Sequence, residues 1–435
     1  MACSTDPLIL FFLVPMTGNK KAQEVVSHPN NAHRLSITAS GEEALAVGFH
    51  FCSKSSTTLA TLGRSPDADI YMEGSSVARI QCSFEIDLDT GIVMLHDRSH
   101  GLTTQVSGQI AYPFEYGRVR QILVRKNLNT ILGMCGSQCN LIRFKLEWNQ
   151  GPTQMAETIK KYKAFACGRV ENPRLALTQY EQEIPTDMPS RHRTRPHTAG
   201  RQKLIRYAVE GSQLGSGQFG IVYKAIDVDL GKLMAVKVLE KPASTSKQRE
   251  WESSLYYALK REVEILSEIN HPHIVDYIGS QGWDGPQIEI FMGLKTGTVE
   301  SLVESGADTK NVAVDLLPQM LKALDCLACQ GIVHRDVKPE NILYTVRQDG
   351  HYQFQLGDFG LCNRAVDAKT QAGSPLYMAA EMYQKRAQTH KVDVWSLFVT
   401  IMWILDADDF RQKSSHFKSM QEVWDMFVFT AANVG

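Results

Sequence analysis

Between an apolar Val333 and the apolar pair Ile342-Leu343 runs the octad His334-Arg335-Asp336-Val337-Lys338-Pro339-Glu340-Asn341. It holds an acid, a lysine two residues on and an asparagine five residues on. Phosphoryl transfer needs that set: an acceptor for the incoming hydroxyl's proton, a cation beside the moving phosphate and an oxygen ligand for a metal. Further groups of the same kind flank it in order. Downstream, Leu356-Gly357-Asp358-Phe359-Gly360 offers a second metal ligand. Upstream, Lys237 ends an Ala235-Val236-Lys237 run and Glu262 follows on a stretch with apolar residues at Val263, Leu266 and Ile269. Earlier still, Leu214-Gly215-Ser216-Gly217-Gln218-Phe219-Gly220-Ile221-Val222 is a G-x-G-x-x-G loop. Glycines there let backbone N–H groups close over phosphates without a Cβ in the way. Taken alone, that glycine motif fits a hairpin or a dinucleotide site equally well.

These residues must be brought together by strands and helices, and the pattern around them supplies both. Strands are expected at 208–214, 220–225, 233–239, 274–277 and 287–292, with charged helical text over 247–269. An apolar-periodic helix is expected over 311–330, with Val314, Leu317, Leu321 and Leu324 on one face. It would deliver the chain to the octad.

The four ordered motifs resemble those of eukaryotic serine/threonine protein kinases, a resemblance covering residues 205–435. It implies an α+β bilobal fold, with the small lobe over 205–293 and the large lobe over 294–435. It implies ATP and Mg2+ as the reaction's companions. Asp336 would orient or accept the substrate hydroxyl's proton, and Lys338 would neutralise the γ-phosphate. Lys237 would pair with the α- and β-phosphates and with Glu262. Asn341 and Asp358 would hold the metal. Leu214 to Gly220, Val222, Ala235, Met292 and Leu294 would surround the nucleotide, with 291–294 at the gatekeeper and hinge. Thr370 would be the acceptor of the activation loop, and Ser374 stands at a family Ser/Thr position. Two departures are structural: Ala380 replaces a proline before Glu381, and Phe398 replaces a glycine.

The rest of the chain bounds the setting. It has 435 residues, 43% of them hydrophobic, and a formal charge of −1. That is room for two or three domains, with no overall pull toward nucleic acid or membrane. Nine scattered cysteines suit a reducing compartment rather than a disulfide framework. Neither Cys326/Cys329 nor Cys135/Cys139 has a second pair, which argues against zinc. No apolar run reaches membrane-spanning length. Leu8 to Val14 is apolar, but no lysine or arginine precedes it, so it reads as a buried strand rather than a signal peptide. Further strands are expected at 44–51, 58–62, 70–72, 82–86, 92–95, 119–124, 130–132 and 141–146. Gly, Asp, Ser and Asn separate them, the mark of a sandwich.

Three loops within that region, Gly63-Arg64-Ser65-Pro66-Asp67, Ala78-Arg79-Ile80-Gln81 and Asp97-Arg98-Ser99-His100-Gly101, resemble those of forkhead-associated (FHA) domains. The resemblance implies an all-β sandwich over 1–150 whose end loops read phosphothreonine, with Arg64 at the family's phosphate-holding arginine. Ala78, Gln81 and His100 stand where the family has serine, histidine and asparagine. Arg79 and Arg98 are read either as substitute phosphate donors or as solvated loop charges. Residues 151–204 read as a basic linker with some helix around 155–166. Six Arg or Lys between 188 and 209 occur there with no acid.

The expected fold is therefore multidomain, an FHA-like β-sandwich followed by a kinase fold, similar in layout to checkpoint kinases. The resemblance implies an intracellular enzyme, nuclear or cytoplasmic, acting on protein serine and threonine and binding no nucleic acid directly. The alternative is an inactive kinase-fold scaffold or phosphopeptide adaptor. One expectation favours it. Residues 395–405 are apolar nearly all round, and about thirty residues follow, so the large lobe reads as incomplete and marginally stable.

Overall fold

Six consecutive apolar residues from Ile9 to Val14 are all buried in strand β1 (Ile9–Pro15), which requires cover on both faces. The computed structural model describes residues 6–51, 53–149, 151–166, 204–217, 220–242, 256–364, 373–383, 388–414, 416–417 and 421–426. These fall into two compact units. One takes in the described residues up to 166 together with 205–208 and 226–232; the other takes in Leu204 and the described residues of 209–225 and from 233 on.

In the first unit, β1 is flanked by β2 (Leu35–Ile37), β3 (Glu43–Gly48), β8 (Thr104–Ser107), β10 (Ile131–Met134) and β11 (Ile142–Trp148). The six-stranded order is β2-β3-β1-β11-β10-β8. A second sheet of five runs β5-β4-β6-β7-β9, from β4 (Thr58–Gly63), β5 (Ile70–Tyr71), β6 (Cys82–Ile86), β7 (Val93–Asp97) and β9 (Gln121–Leu123). The two sheets share a core. Phe11 of β1 meets Phe84 of β6 edge-on with ring centroids 5.0 Å apart, and Trp148 lies 4.9 Å from Phe11. Helix α1 (Lys20–Val26) begins where the Asn19 side chain accepts from the Ala22 amide. Strands β2 and β8 and helix α1 were absent from the expectation; each is short, so periodicity had little to act on.

Helix α2 (Pro152–Ala166) opens the segment read as linker, and it is docked. Tyr162 stacks on Phe49 with centroids 4.2 Å apart, and the Thr158 hydroxyl donates to the Pro7 carbonyl at 3.2 Å. The basic stretch through residue 203 lies outside the described residues.

The second unit carries a five-stranded sheet in the order β12-β13-β14-β16-β15. Its strands are β12 (Tyr207–Gly217), β13 (Gly220–Asp227), β14 (Leu233–Glu240), β15 (Tyr277–Gln281) and β16 (Gln287–Gly293). The strand expected at 274–277 is displaced. Ile274 forms a single bridge to Leu356 while its own amide turns back to His271, so the strand opens only at Tyr277. Four helices serve the site: α3 (Tyr257–Glu268), α4 (Val299–Glu304), α5 (Thr309–Cys329) and, after the short α6 (Ala380–Tyr383), α7 (Lys391–Leu405).

The expected face of α5 is corrected. Val314, Leu317 and Leu321 are exposed, and only Leu324 of that set is buried. The buried stripe is Val312, Ala313, Leu316, Met320, Ala323, Leu324 and Leu327. Both stripes are apolar at helical spacing, so composition could not choose between them; packing against Leu356, Phe359 and Leu397 does. Most of α7 is likewise covered, with Val394, Phe398 and Leu405 left exposed. Beyond it Val423 is buried, while Phe427 and Phe429 lie outside the described residues. No helix among the described residues is long and apolar enough to cross a membrane.

Candidate active site

The octad's backbone is held from below by one carboxylate. Asp393, in the first turn of α7 and 2% exposed, accepts from the His334 amide at 2.8 Å and the Arg335 amide at 2.7 Å. Burial pushes its carboxyl up, while His334 and the two amides act the other way. Arg335 takes a left-handed φ of 68°, unusual for a residue with a Cβ, and its Nε donates to the Leu361 carbonyl at 2.7 Å. His334 packs rather than reacts. Its Nε2 lies 3.0 Å from the Gly357 carbonyl oxygen and its ring sits edge-on to Phe359.

On this support the chemistry-bearing side chains converge. Asp336 Oδ2 accepts from Asn341 Nδ2 at 2.8 Å and lies 3.1 Å from Lys338 Nζ. Its other oxygen accepts from the Ser374 amide and hydroxyl, both at 2.9 Å. Lys338 Nζ donates to that same hydroxyl at 2.7 Å. An alcohol oxygen therefore sits between an acid and an ammonium. Asn341 spends its Nδ2 on the carbonyl and the carboxylate of Asp336, which leaves Oδ1 available to a hard cation.

The second group of charges centres on Lys237. Its Nζ lies 3.3 Å from Glu262 Oε1 on α3 and 3.3 Å from Asp358 Oδ1. Glu262 is 1% exposed and Lys237 7%. Burial works against the lysine's charge, but Glu262 and then Asp358 outweigh it and hold its pKa above the usual value. Burial also pushes the Asp358 carboxyl up; Lys237 and His334 more than offset this and leave it below its ordinary value. Asp358 has a left-handed φ of 52°, which turns the chain at the head of Phe359. Asn341 and Asp358 are oxygen donors of the kind magnesium takes, so the residues present fit that ion.

Around the cleft, Gly220 has φ of 118°, and a Cβ there would stand 2.5 Å from the Val238 carbonyl oxygen. Leu214 and Gly215 lie on β12, which continues as backbone through Ser216 and Gly217; Gln218 and Phe219 are outside the described residues. Ala235 of β14 faces Met292 of β16 in register, Val222 and Leu294 are half-buried, and Phe291 is fully buried. Thr370 falls outside the described residues.

Arg64 and Arg79 are in the first unit. Their loops are bonded to each other, Arg64 N to Ala78 O and Ser65 N to Arg79 O, each at 3.0 Å. Both side chains are exposed, and among the described residues neither carries a hydrogen bond or ion pair. Arg98, read as a substitute phosphate donor, instead donates to the Ser83 hydroxyl at 3.1 Å and faces Glu85 at 3.7 Å. Gln81 is fully buried. It accepts from the Ala78 amide at 3.1 Å and donates to the hydroxyls of Thr103 and Thr104, at 3.0 Å each.

Asp393 and Gln81 are the residues whose roles sequence reasoning missed. An acid at the start of an apolar helix reads as a complement to the helix dipole, and a glutamine between strands as a surface residue. The only available signal was that each polar side chain stands in an otherwise apolar run.

A family model described as "Protein kinase domain" matches residues 208–432, more than half of the chain. Curated relatives match the same region. "Mitogen-activated protein kinase kinase kinase 3" of Arabidopsis thaliana is 33% identical over 202 residues, 44% of this chain and 30% of that protein. "Calcium/calmodulin-dependent protein kinase type 1" of Macrobrachium nipponense is 34% identical over 197 residues, 44% of this chain and 54% of that protein. "Serine/threonine-protein kinase pakF" of Dictyostelium discoideum is 34% identical over 200 residues, 45% of this chain and 16% of that protein. The chain thus spans about half or less of the length of these relatives.

The Lys237 triad makes a prediction about stability. Lys237→Met leaves Glu262 without its cation, and burial already pushes that carboxyl's pKa up. A carboxyl with a raised folded pKa keeps its proton where the unfolded chain has released it, so stability falls as pH rises. The variant should lose about 3–5 kcal/mol at neutral pH and clearly less near pH 5. Adding Glu262→Gln should recover most of the loss. Denaturant midpoints at both pH values measure this, and a loss independent of pH would contradict it.

Proposed function

The chain belongs to the protein kinase family, and from that premise we propose that it is a serine/threonine kinase moving the ATP γ-phosphate to protein hydroxyls. The observation that carries the reading is the Ser374 hydroxyl held at once by Asp336 at 2.9 Å and Lys338 at 2.7 Å. A substrate alcohol in the same relation gives its proton to Asp336 as its oxygen attacks. Lys338 offsets the charge on the transferring group. Lys237, kept charged by Glu262 and Asp358, pairs with the α- and β-phosphates. Leu214, Val222, Ala235, Met292 and Leu294 flank the base, with the glycine-rich loop over the phosphates. Asn341 and Asp358 would hold magnesium, which when bound neutralises phosphate oxygens. Cysteines that are free throughout the described residues fit a reducing compartment, nucleus or cytoplasm.

A phosphotransfer assay on the full chain with Mg-ATP and a serine/threonine protein substrate tests the reading. Asp336→Asn should lower the rate by at least about 100-fold, the size of a general-base contribution. If the wild-type chain incorporates no more phosphate than Asp336→Asn, the scaffold reading replaces it.

A second reading applies to the first unit, an FHA-like module that binds phosphothreonine peptides. It is favoured by two exposed guanidinium groups, unpaired among the described residues, on bonded neighbouring loops, Arg64 and Arg79. Gln81 fixes the loop that carries Arg79. A charge-assisted bond contributes about 1.5–3 kcal/mol, and both donors are open to salt. Binding should therefore be weak, specific to the phosphate and reduced by salt. Calorimetry tests it with a phosphothreonine peptide and its unphosphorylated form. Equal heats for the two peptides, or binding untouched in Arg64→Ala, would remove the reading.

A further inference from the structure

Two short pieces of the kinase region, 205–208 and 226–232, belong to the first unit. They are the root of β12 and the turn that ends β13, the neighbouring strands that the glycine-rich run joins at their other ends. Backbone bonds fasten them there. The Leu123 amide of β9, at the edge of the five-stranded sheet, donates to the Val228 carbonyl at 2.8 Å. The Val228 amide in turn donates to the Arg206 carbonyl at 2.9 Å, and the Tyr112 hydroxyl to the Tyr207 carbonyl at 3.1 Å. Gly231, at a left-handed φ of 67°, lies against β7, where a Cβ would stand 2.7 Å from Met94 Sδ.

The side chains converge on one carboxylate. Asp229 is 7% exposed and accepts from Arg118 Nη1 at 2.9 Å. Arg206 meets it as a fork, Nη2 on Oδ1 and Nε on Oδ2. Both arginines are shared with Glu115: Arg118 Nε reaches Oε2 at 2.6 Å, and Arg206 Nη1 reaches Oε1 at 3.2 Å. The turn does not need Asp229 for its own closure. Asp227 already accepts from the Asp229 and Leu230 amides, at 2.8 and 2.9 Å. The Asp229 carboxylate is spent on the two guanidinium groups, and a fork on a carboxylate fixes direction as well as distance.

We propose that Asp229, with Arg118 and Arg206, is a positioning residue for the glycine-rich loop: the cluster holds the root of β12 and the end of β13, and the strands carry that hold to the phosphates. This rests on the reading of the site as one that takes nucleotide beneath that loop. Rigid elements are a known carrier of coupling between distant groups. A local role, closing the edge of the sandwich, would cost stability and leave nucleotide affinity untouched.

Calorimetry on the full chain with magnesium and the non-hydrolysable analogue AMP-PNP tests it, with phosphate transfer to a serine/threonine protein substrate alongside. A loop that is competent about one time in ten weakens apparent affinity about tenfold. Asp229→Asn should show a loss of that size both in the Kd of the analogue and in the KM for Mg-ATP. Its kcat should stay within about threefold of wild type, as for a group that acts on binding alone. Arg118→Met should weaken binding in the same sense, and Arg118→Lys should recover part of the loss because a charge remains. Hydrogen exchange in Asp229→Asn should quicken at the amides of 209–217 and 220–225. Tyr162→Ala, which removes the stack on Phe49 in the same unit, should lower the melting temperature and leave the affinity unchanged. Should Asp229→Asn not fold, Arg118→Met decides. Wild-type affinity in these variants, or equal weakening in Tyr162→Ala, would overturn the positioning role and leave the kinase reading standing. A chain that binds the analogue and transfers nothing would overturn the kinase reading alone, since the affinities still decide the other. A chain that does neither would overturn both.

Discussion

Two backbone amide hydrogen bonds accepted by one buried carboxylate hold the shape of the octad at 334–341. Asp393 accepts from the amides of His334 and Arg335, and directly after them the chain passes through a left-handed conformation at Arg335. That conformation costs a residue with a Cβ roughly 1–2 kcal/mol. Hydrogen bonds to a charged acceptor contribute about 1.5–3 kcal/mol each. The bonds win, and the kink persists. Its consequence is directional: Asp336, the next residue, is turned toward Asn341, Lys338 and Ser374, and His334 is turned back beneath Phe359.

The second constraint is the sharing of Lys237. An ammonium at 7% exposure is costly unless it is paired, and it is paired twice, with Glu262 of α3 and with Asp358. The position of a helix, a strand and the turn before Phe359 are thereby made to depend on one another. Moving α3 outward would leave Glu262 and Lys237 each short of a partner.

How much of this could be read from the chain depended on distance along it. Groups whose partners are local were legible. Asp336, Lys338 and Asn341 lie within five residues, and the structure brings the latter two side chains to within 3.1 Å of Asp336 Oδ2. Strands such as Cys82–Ile86 matched their expectation because turn residues bracket them closely. What was missed depends on partners far away. Asp393 acts on amides 58 and 59 residues earlier, and Gln81 on threonines 22 and 23 residues later. The face of α5 failed for another reason. Val314, Leu317 and Leu321 are as apolar as the buried stripe, and only the tertiary environment distinguishes them. Arg98 looked free in the sequence because Ser83 and Glu85 come to it across the sheet.

The central claim is that Asp393 acts on phosphate transfer through the shape of the octad rather than through nucleotide binding. Steady-state kinetics of Asp393→Ala in the full chain, with thermal unfolding as the check on folding, tests it most directly. The account predicts a fall in kcat of at least about 100-fold, comparable to loss of a positioned base. It also predicts a KM for Mg-ATP within about threefold of wild type, because Lys237 and Glu262 keep their places. A folded variant whose kcat is unchanged, or whose loss lies wholly in the KM for Mg-ATP, would contradict it.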